Sequence, residues 1–201
     1  MRHPWPLLVL AVALGCGGGD DDIVAPRIGQ DAISDPLGDT LASTFATAQA
    51  HDVLNFRATP EGGTLVVWVH FAHDIQPFSS GGRNGVLGIM DLDVDGDPAT
   101  GGVALADHFG ATSGIGAEWS LFLEDSVASA GDHRVAVVNV ATQEVFWVPG
   151  SFDGATITAR VPLAMLRAQP GARIRLVGVV GSVERASDIF PNEGSIAIEL
   201  P

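Results

Sequence analysis

The chain has 201 residues, and its 24 acidic side chains outnumber ten basic ones, giving a formal charge of −14 at pH 7. That excess is repelled by nucleic acid and by anionic lipid surfaces, which disfavours both as partners. Every basic residue is arginine, so neither a Schiff-base lysine nor a phosphate-loop lysine is available, and the single cysteine, Cys16, rules out an internal disulfide.

Residues 1–15 read as a targeting segment, with Arg2 supplying the positive region, Leu7 to Leu14 the apolar stretch and Gly15 the small residue at the cleavage position. The apolar stretch is too short to span a bilayer as a helix. Ala13-Leu14-Gly15-Cys16 resembles a bacterial lipobox, departing from it only at Ala13, where leucine is commoner. The resemblance implies a signal peptide ending at residue 15 and a lipid on Cys16. Residues 16–34, opening on Gly17-Gly18-Gly19-Asp20-Asp21-Asp22, read as a flexible, self-repelling acidic tether. The expected location is extracytoplasmic, with membrane contact through lipid alone. Asp35 to Pro201 is long enough for one domain with a real core.

From Asp35 onward the pattern is β. Asp52 to Thr59 alternates, Glu61-Gly62-Gly63 signals a hairpin, and Thr64 to Ala72 forms the return strand. On that strand Leu65, Val67, Val69 and Phe71 share one face, opposite Val66, Trp68 and His70. Gly85 to Asp93 runs as a strand directly into an acidic loop. Further strands are expected at Ala117–Glu124, Arg134–Val140, Glu144–Val148, Thr156–Val161, Arg173–Val180 and Ser195–Leu200, with Pro149-Gly150 among the separating turns. Only Pro162 to Arg167 looks helical, with proline at its first position. About nine short strands and one short helix predict an all-β, antiparallel β-sandwich spanning residues 35–201.

The acidic loop Asp91-Leu92-Asp93-Val94-Asp95-Gly96-Asp97-Pro98-Ala99-Thr100-Gly101 sets four carboxylates close together. Each pair of like charges ~6 Å apart costs ~0.7 kcal/mol even at the dielectric of water. A folded loop that gathers them calls for a cation, and hard oxygen donors favour calcium. The loop starts like an EF-hand at Asp91, Asp93 and Asp95, with Gly96 in sixth place, but the twelfth place holds Gly102 rather than a bidentate glutamate. A strand-to-loop site completed from elsewhere in the fold is therefore expected.

The order of motifs resembles a known group. Asp35-Pro36-Leu37-Gly38-Asp39 comes first, then His51-Asp52-Val53, then the loop from Asp93 to Gly101. Gly116-Ala117-Glu118-Trp119 follows, then Asp188-Ile189-Phe190-Pro191-Asn192-Glu193-Gly194, and the short helix after Val161-Pro162-Leu163 also fits. Together these are similar to bacterial secreted β-sandwich domains related to family-nine carbohydrate-binding modules and the DOMON superfamily. The resemblance implies a sandwich with a structural calcium loop, in which Asp93 and Asp95 are ligands, Asp91 and Asp97 join them, and Glu118 stands where the group often has aspartate. It also implies Asp52 and Asp188 as distant ligands. Some members bind sugars and some bind haem.

Sugar recognition needs an aromatic platform with planar polar groups around it. Trp119 shares a face with Leu121 and Leu123 and is expected in the core, whereas Trp68, beside His70, is the better candidate for an exposed platform. Trp147 lies between Phe146 and Val148, which leaves its side undecided. The leading expectation is a non-catalytic, lipid-anchored binding module for a glycan or another cell-envelope component, with structural Ca²⁺. The rival expectations are a haem-containing electron carrier on the same fold and a hydrolase acting on surface polymers by paired carboxylates.

Overall fold

The computed structural model describes residues 32–41, 50–82, 84–124, 133–182 and 185–201. The targeting segment, Cys16 and nearly all of the tether lie outside the described residues. The strands are β1 (Ala32–Ser34), β2 (Val53–Glu61), β3 (Thr64–Phe71), β4 (Gln76–Pro77), β5 (Gly85–Asp93), β6 (Gly102–Val103), β7 (Gly116–Ala117), β8 (Trp119–Phe122), β9 (Arg134–Asn139), β10 (Val145–Asp153), β11 (Thr156–Pro162), β12 (Arg173–Ser182), β13 (Arg185–Phe190) and β14 (Ile196–Glu199). One α-helix, α1 (Leu163–Leu166), follows β11.

The strands make two facing layers that share β10. One layer has the order β1-β2-β3-β11-β10, and the other runs β10-β9-β8-β5-β12, with both β13 and β14 paired to β12. All of these pairings are antiparallel. The result is the expected all-β sandwich, rolled until it is nearly closed. Across the remaining seam the N–H of Val53 donates to Asp188 Oδ2 (2.7 Å), Leu41 N donates to the Ser187 carbonyl (2.7 Å), and Phe56 meets Phe190 edge-to-face at 5.2 Å.

β10 explains the closure and corrects the expected turn at Pro149-Gly150. Val145–Pro149 pairs with β9, whereas Gly150–Asp153 pairs with β11, so one strand turns the corner between layers. A Cβ on Gly150 would stand 3.0 Å from Val135 Cγ1, so glycine lets the corner pack tightly. The expected strand Ala117–Glu124 is interrupted at Glu118, between β7 and β8. Helix α1 also starts one residue later than expected, with Pro162 as its N-cap.

The core lies between the layers, and its largest fully buried side chains include Phe56, Phe71, Phe190, Met90, Leu92 and Leu121. Trp119 belongs to it, and its indole N–H donates to the Leu166 carbonyl (3.2 Å), tying α1 to the sheet. A second apolar cluster on the outside of the β5/β12 layer joins Val177, Val179 and Ile189 to Ala104, Ala106 and Ile115 from the segment between β5 and β8. β12 is therefore covered on both faces over residues 176–180, which is why that stretch reads as a continuous apolar run. The outer face of β2, β3 and β11 carries polar residues instead.

Phe56 is completely buried at the seam, so Phe56→Ala should destabilise the protein by about 3–5 kcal/mol through lost burial and a residual cavity. Chemical denaturation measures this directly, and a loss below about 1 kcal/mol would contradict the assigned core.

Candidate metal centre and outer face

Among the described residues, two groups of three carboxylates each have ligand oxygens within 4.8 Å of one another: Asp93 with Asp95 and Glu118, and Asp35 with Asp39 and Asp188. Ligands about 2.3–2.6 Å from a shared Ca²⁺ can themselves be at most about 5 Å apart, so both groups have a suitable span.

The first group is built by the acidic loop and its neighbour β7. Asp93 ends β5 and is fully buried; its Oδ1 accepts the Gly96 N–H (2.6 Å), but its Oδ2 has no hydrogen-bond partner. Gly96 takes a left-handed φ of 75°, which folds the loop back on the strand end. Glu118 reaches in from the break between β7 and β8. Its Oε2 accepts the Val94 N–H (2.9 Å), and its Oε1 lies 2.9 Å from the Thr100 hydroxyl. Two glycines allow this approach: a Cβ on Gly116 would fall 1.8 Å from the Thr100 carbonyl oxygen, and one on Gly101 2.4 Å from that of Ala117.

Thr100 exposes the imbalance of the site. Its hydroxyl oxygen lies 3.1 and 3.0 Å from the two carboxylate oxygens of Asp95, 2.9 Å from the Asp97 carbonyl and 2.9 Å from Glu118 Oε1. One hydroxyl carries one proton and cannot satisfy four acceptors. Burial pushes the Asp93 carboxyl above the usual carboxylate range, despite the Gly96 N–H and the Arg175 charge that oppose it. Burial likewise raises Glu118, with Asp95 and Asp93 adding repulsion. The pocket is rich in oxygen and short of protons, a donor set that suits a hard divalent cation.

The remaining loop acids have other partners. Asp91 shares the strand face of Asp93, but its two oxygens accept the Leu105 N–H and the Ser120 hydroxyl, both at 2.5 Å. It fastens the covering segment to the sheet. Asp97 is exposed, and its Oδ1 accepts the Ala99 N–H (2.9 Å) within the turn. Asp52 and Asp188, expected as distant ligands of this loop, gather instead at the seam with Asp35 and Asp39, because β2 and β13 meet there. Thr100 went unrecognised in the sequence, although Pro-Ala-Thr-Gly had marked its position.

Trp68 and His70 lie on the polar outer face. Their rings stack at 5.5 Å with only 8° between planes. In the ladder Trp68 sits between Arg57 and Thr158, and His70 between Asn55 and Thr156, whose hydroxyl contacts His70 Nδ1 at 3.1 Å. Arg57, Thr59, Glu61, Val66, Trp68, Thr158 and Arg160 line a groove of about 330 Å³ on this face. Trp147 is also exposed, on the first half of β10.

No protein-family model matches the chain, and no curated protein matches it in sequence. The acidic groups and the open face therefore carry the functional reading.

Calcium should raise the melting temperature, because an ion that binds only the folded state stabilises it by mass action. Asp95→Ala should lower the number of calcium ions bound by one, whereas Asp97→Ala should leave that number unchanged. Calorimetric titration of both variants checks this, and full calcium binding by Asp95→Ala would place the ligands elsewhere.

Proposed function

We propose that this chain is a non-catalytic, glycan-binding β-sandwich module of the cell envelope, with a structural Ca²⁺ held by Asp93, Asp95 and Glu118. The observation that carries the reading is the outer face of β2, β3 and β11, where the stacked Trp68–His70 pair is set among Arg57, Asn55, Thr156 and Thr158. An aromatic plane packs against the apolar face of a sugar ring, and flanking planar and hydroxyl groups bond its hydroxyls. Strand positions fix the platform, so little entropy is lost on binding. Over β12 and β13 the outer face of the opposite layer is covered by the chain's own segment between β5 and β8.

Kinship with family-nine carbohydrate-binding modules and DOMON-like domains forms part of this proposal, supported by the order of motifs from Asp35-Pro36 to Asn192-Glu193-Gly194. Lipidation of Cys16 and an extracytoplasmic location belong to it as well, supported by the lipobox-like Ala13-Leu14-Gly15-Cys16.

The test is binding of the full-length chain, purified in mild detergent, to a panel of neutral and acidic glycans in calcium and again in chelator. The reading predicts a bound glycan whose affinity falls about tenfold or more in Trp68→Ala, equivalent to about 1.4 kcal/mol, with the melting temperature little changed. Equal binding by Trp68→Ala, or no binding to any glycan by folded protein, would overturn it.

A further inference from the structure

The seam between the two ends of the strand order holds the second group of carboxylates. Asp35 and Asp39 come from the segment after β1, Asp52 from the residue before β2, and Asp188 from β13. Gly38, with φ of 84°, turns the chain so that Asp35 and Asp39 come to one place. Asp35 is only 6% exposed, Asp52 8% and Asp188 1%.

Their oxygens divide into two sets. Asp188 accepts one hydrogen bond at each oxygen, from Val53 N (2.7 Å) and Ile189 N (2.8 Å), which leaves lone pairs for a further partner, and Asp52 Oδ2 accepts from Gly38 N (2.8 Å). By contrast Asp35 Oδ2, Asp39 Oδ1 and Asp52 Oδ1 are buried without any partner. Asn192 Nδ2 donates to Asp35 Oδ1 (3.0 Å) and to Asp39 Oδ2, which uses both of its hydrogens. The charged groups that act on Asp35 are Asp188, Asp39 and Asp52, all of the same sign. With burial as the larger cause, they push Asp35 up to about 8, and burial raises Asp188 to about 7. An unpartnered oxygen on a buried carboxylate costs its full desolvation, so those of Asp35 and Asp39, which belong to one group with Asp188, require compensation.

We propose that Asp35, Asp39 and Asp188, supported by Asp52, bind a second divalent cation that latches the N-terminal segment onto the end of β13. The donors are all oxygen, with no histidine or cysteine in the group, which favours Ca²⁺ over zinc. The latch is independent of the loop site and of the glycan-binding face. Its position gives it a mechanical role: in an anchored protein, tension along the tether would enter the domain at β1, and β1 is held by three backbone register positions on β2. A cation joining Asp35 and Asp39 to Asp188 adds an anchor on the opposite edge of the sheet.

The test uses the full-length chain with Ca²⁺ as the probe. Wild-type protein should bind two ions, Asp93→Asn/Glu118→Gln one, and Asp35→Asn/Asp39→Asn one. Amide hydrogen exchange of residues 32–41 should slow about tenfold when Ca²⁺ stands at ten times its Kd, because the ion closes the opening that permits exchange. That slowing should persist in Asp93→Asn/Glu118→Gln and vanish in Asp35→Asn/Asp39→Asn. Persistence of the slowing without any ion at the loop supports the latch even if the loop site fails. The proposal is overturned if wild-type exchange over residues 32–41 is the same in calcium and in chelator, a result that needs no variant to fold. It is overturned equally if Asp35→Asn/Asp39→Asn still binds two ions.

Discussion

Negative charge held away from water must be compensated, and this domain buries carboxylates at the end of β5 and at the seam between the layers. Asp91 shows one solution: a backbone N–H and a hydroxyl saturate it, and the bond to Leu105 secures the segment that covers the β5/β12 layer. Asp93 and Asp35 lack that solution, because each keeps a buried oxygen with no donor. A bound cation would convert both positions from repulsive to cohesive, at the acidic loop in one case and at the barrel seam in the other. No disulfide is available to do this work, since Cys16 is the only cysteine.

The same architecture separates a covered layer from an open one. The β5/β12 layer has its outer face covered and carries the acidic loop with Asp95, which Glu118 meets from the break between β7 and β8. The β2/β3/β11 layer buries Leu65, Val67, Val69 and Phe71 and turns Trp68 and His70 outward. β10 belongs to both layers, so the open face is continuous in backbone with the supported one. A loop cation would therefore stiffen the scaffold without contacting a ligand on the other sheet, consistent with a structural metal and a separate binding surface.

Period-two patterning was enough to locate most of the strands. The inward set on β3 and the outward Trp68–His70 pair follow directly from alternation, because β3 has one covered and one open face. β13 was obscured because Ser187 and Asp188 are buried polar residues that break the apolar pattern, and their burial depends on partners about 135 positions away, at His51 and Val53. Pro149-Gly150 carried an ordinary turn signal, and only the tertiary corner turns it into strand. The family resemblance named Asp93, Asp95 and Glu118 together with Asp91 and Asp97, and it is the fold that narrows the five to a group of three. The seam group was not readable, since Asp35 and Asp188 are brought together by closure of the sheet and by nothing local. β1 likewise falls in a stretch whose composition read as tether, because its partner β2 lies beyond residue 50.

The most direct test of the account is an anomalous difference map from crystals of this protein grown in calcium. A cation that balances the loop should give a peak among Asp93, Asp95 and Glu118, at calcium–oxygen distances of about 2.3–2.6 Å. A flat map at that position, with the three carboxylates still gathered, would contradict the claim that a cation balances the loop.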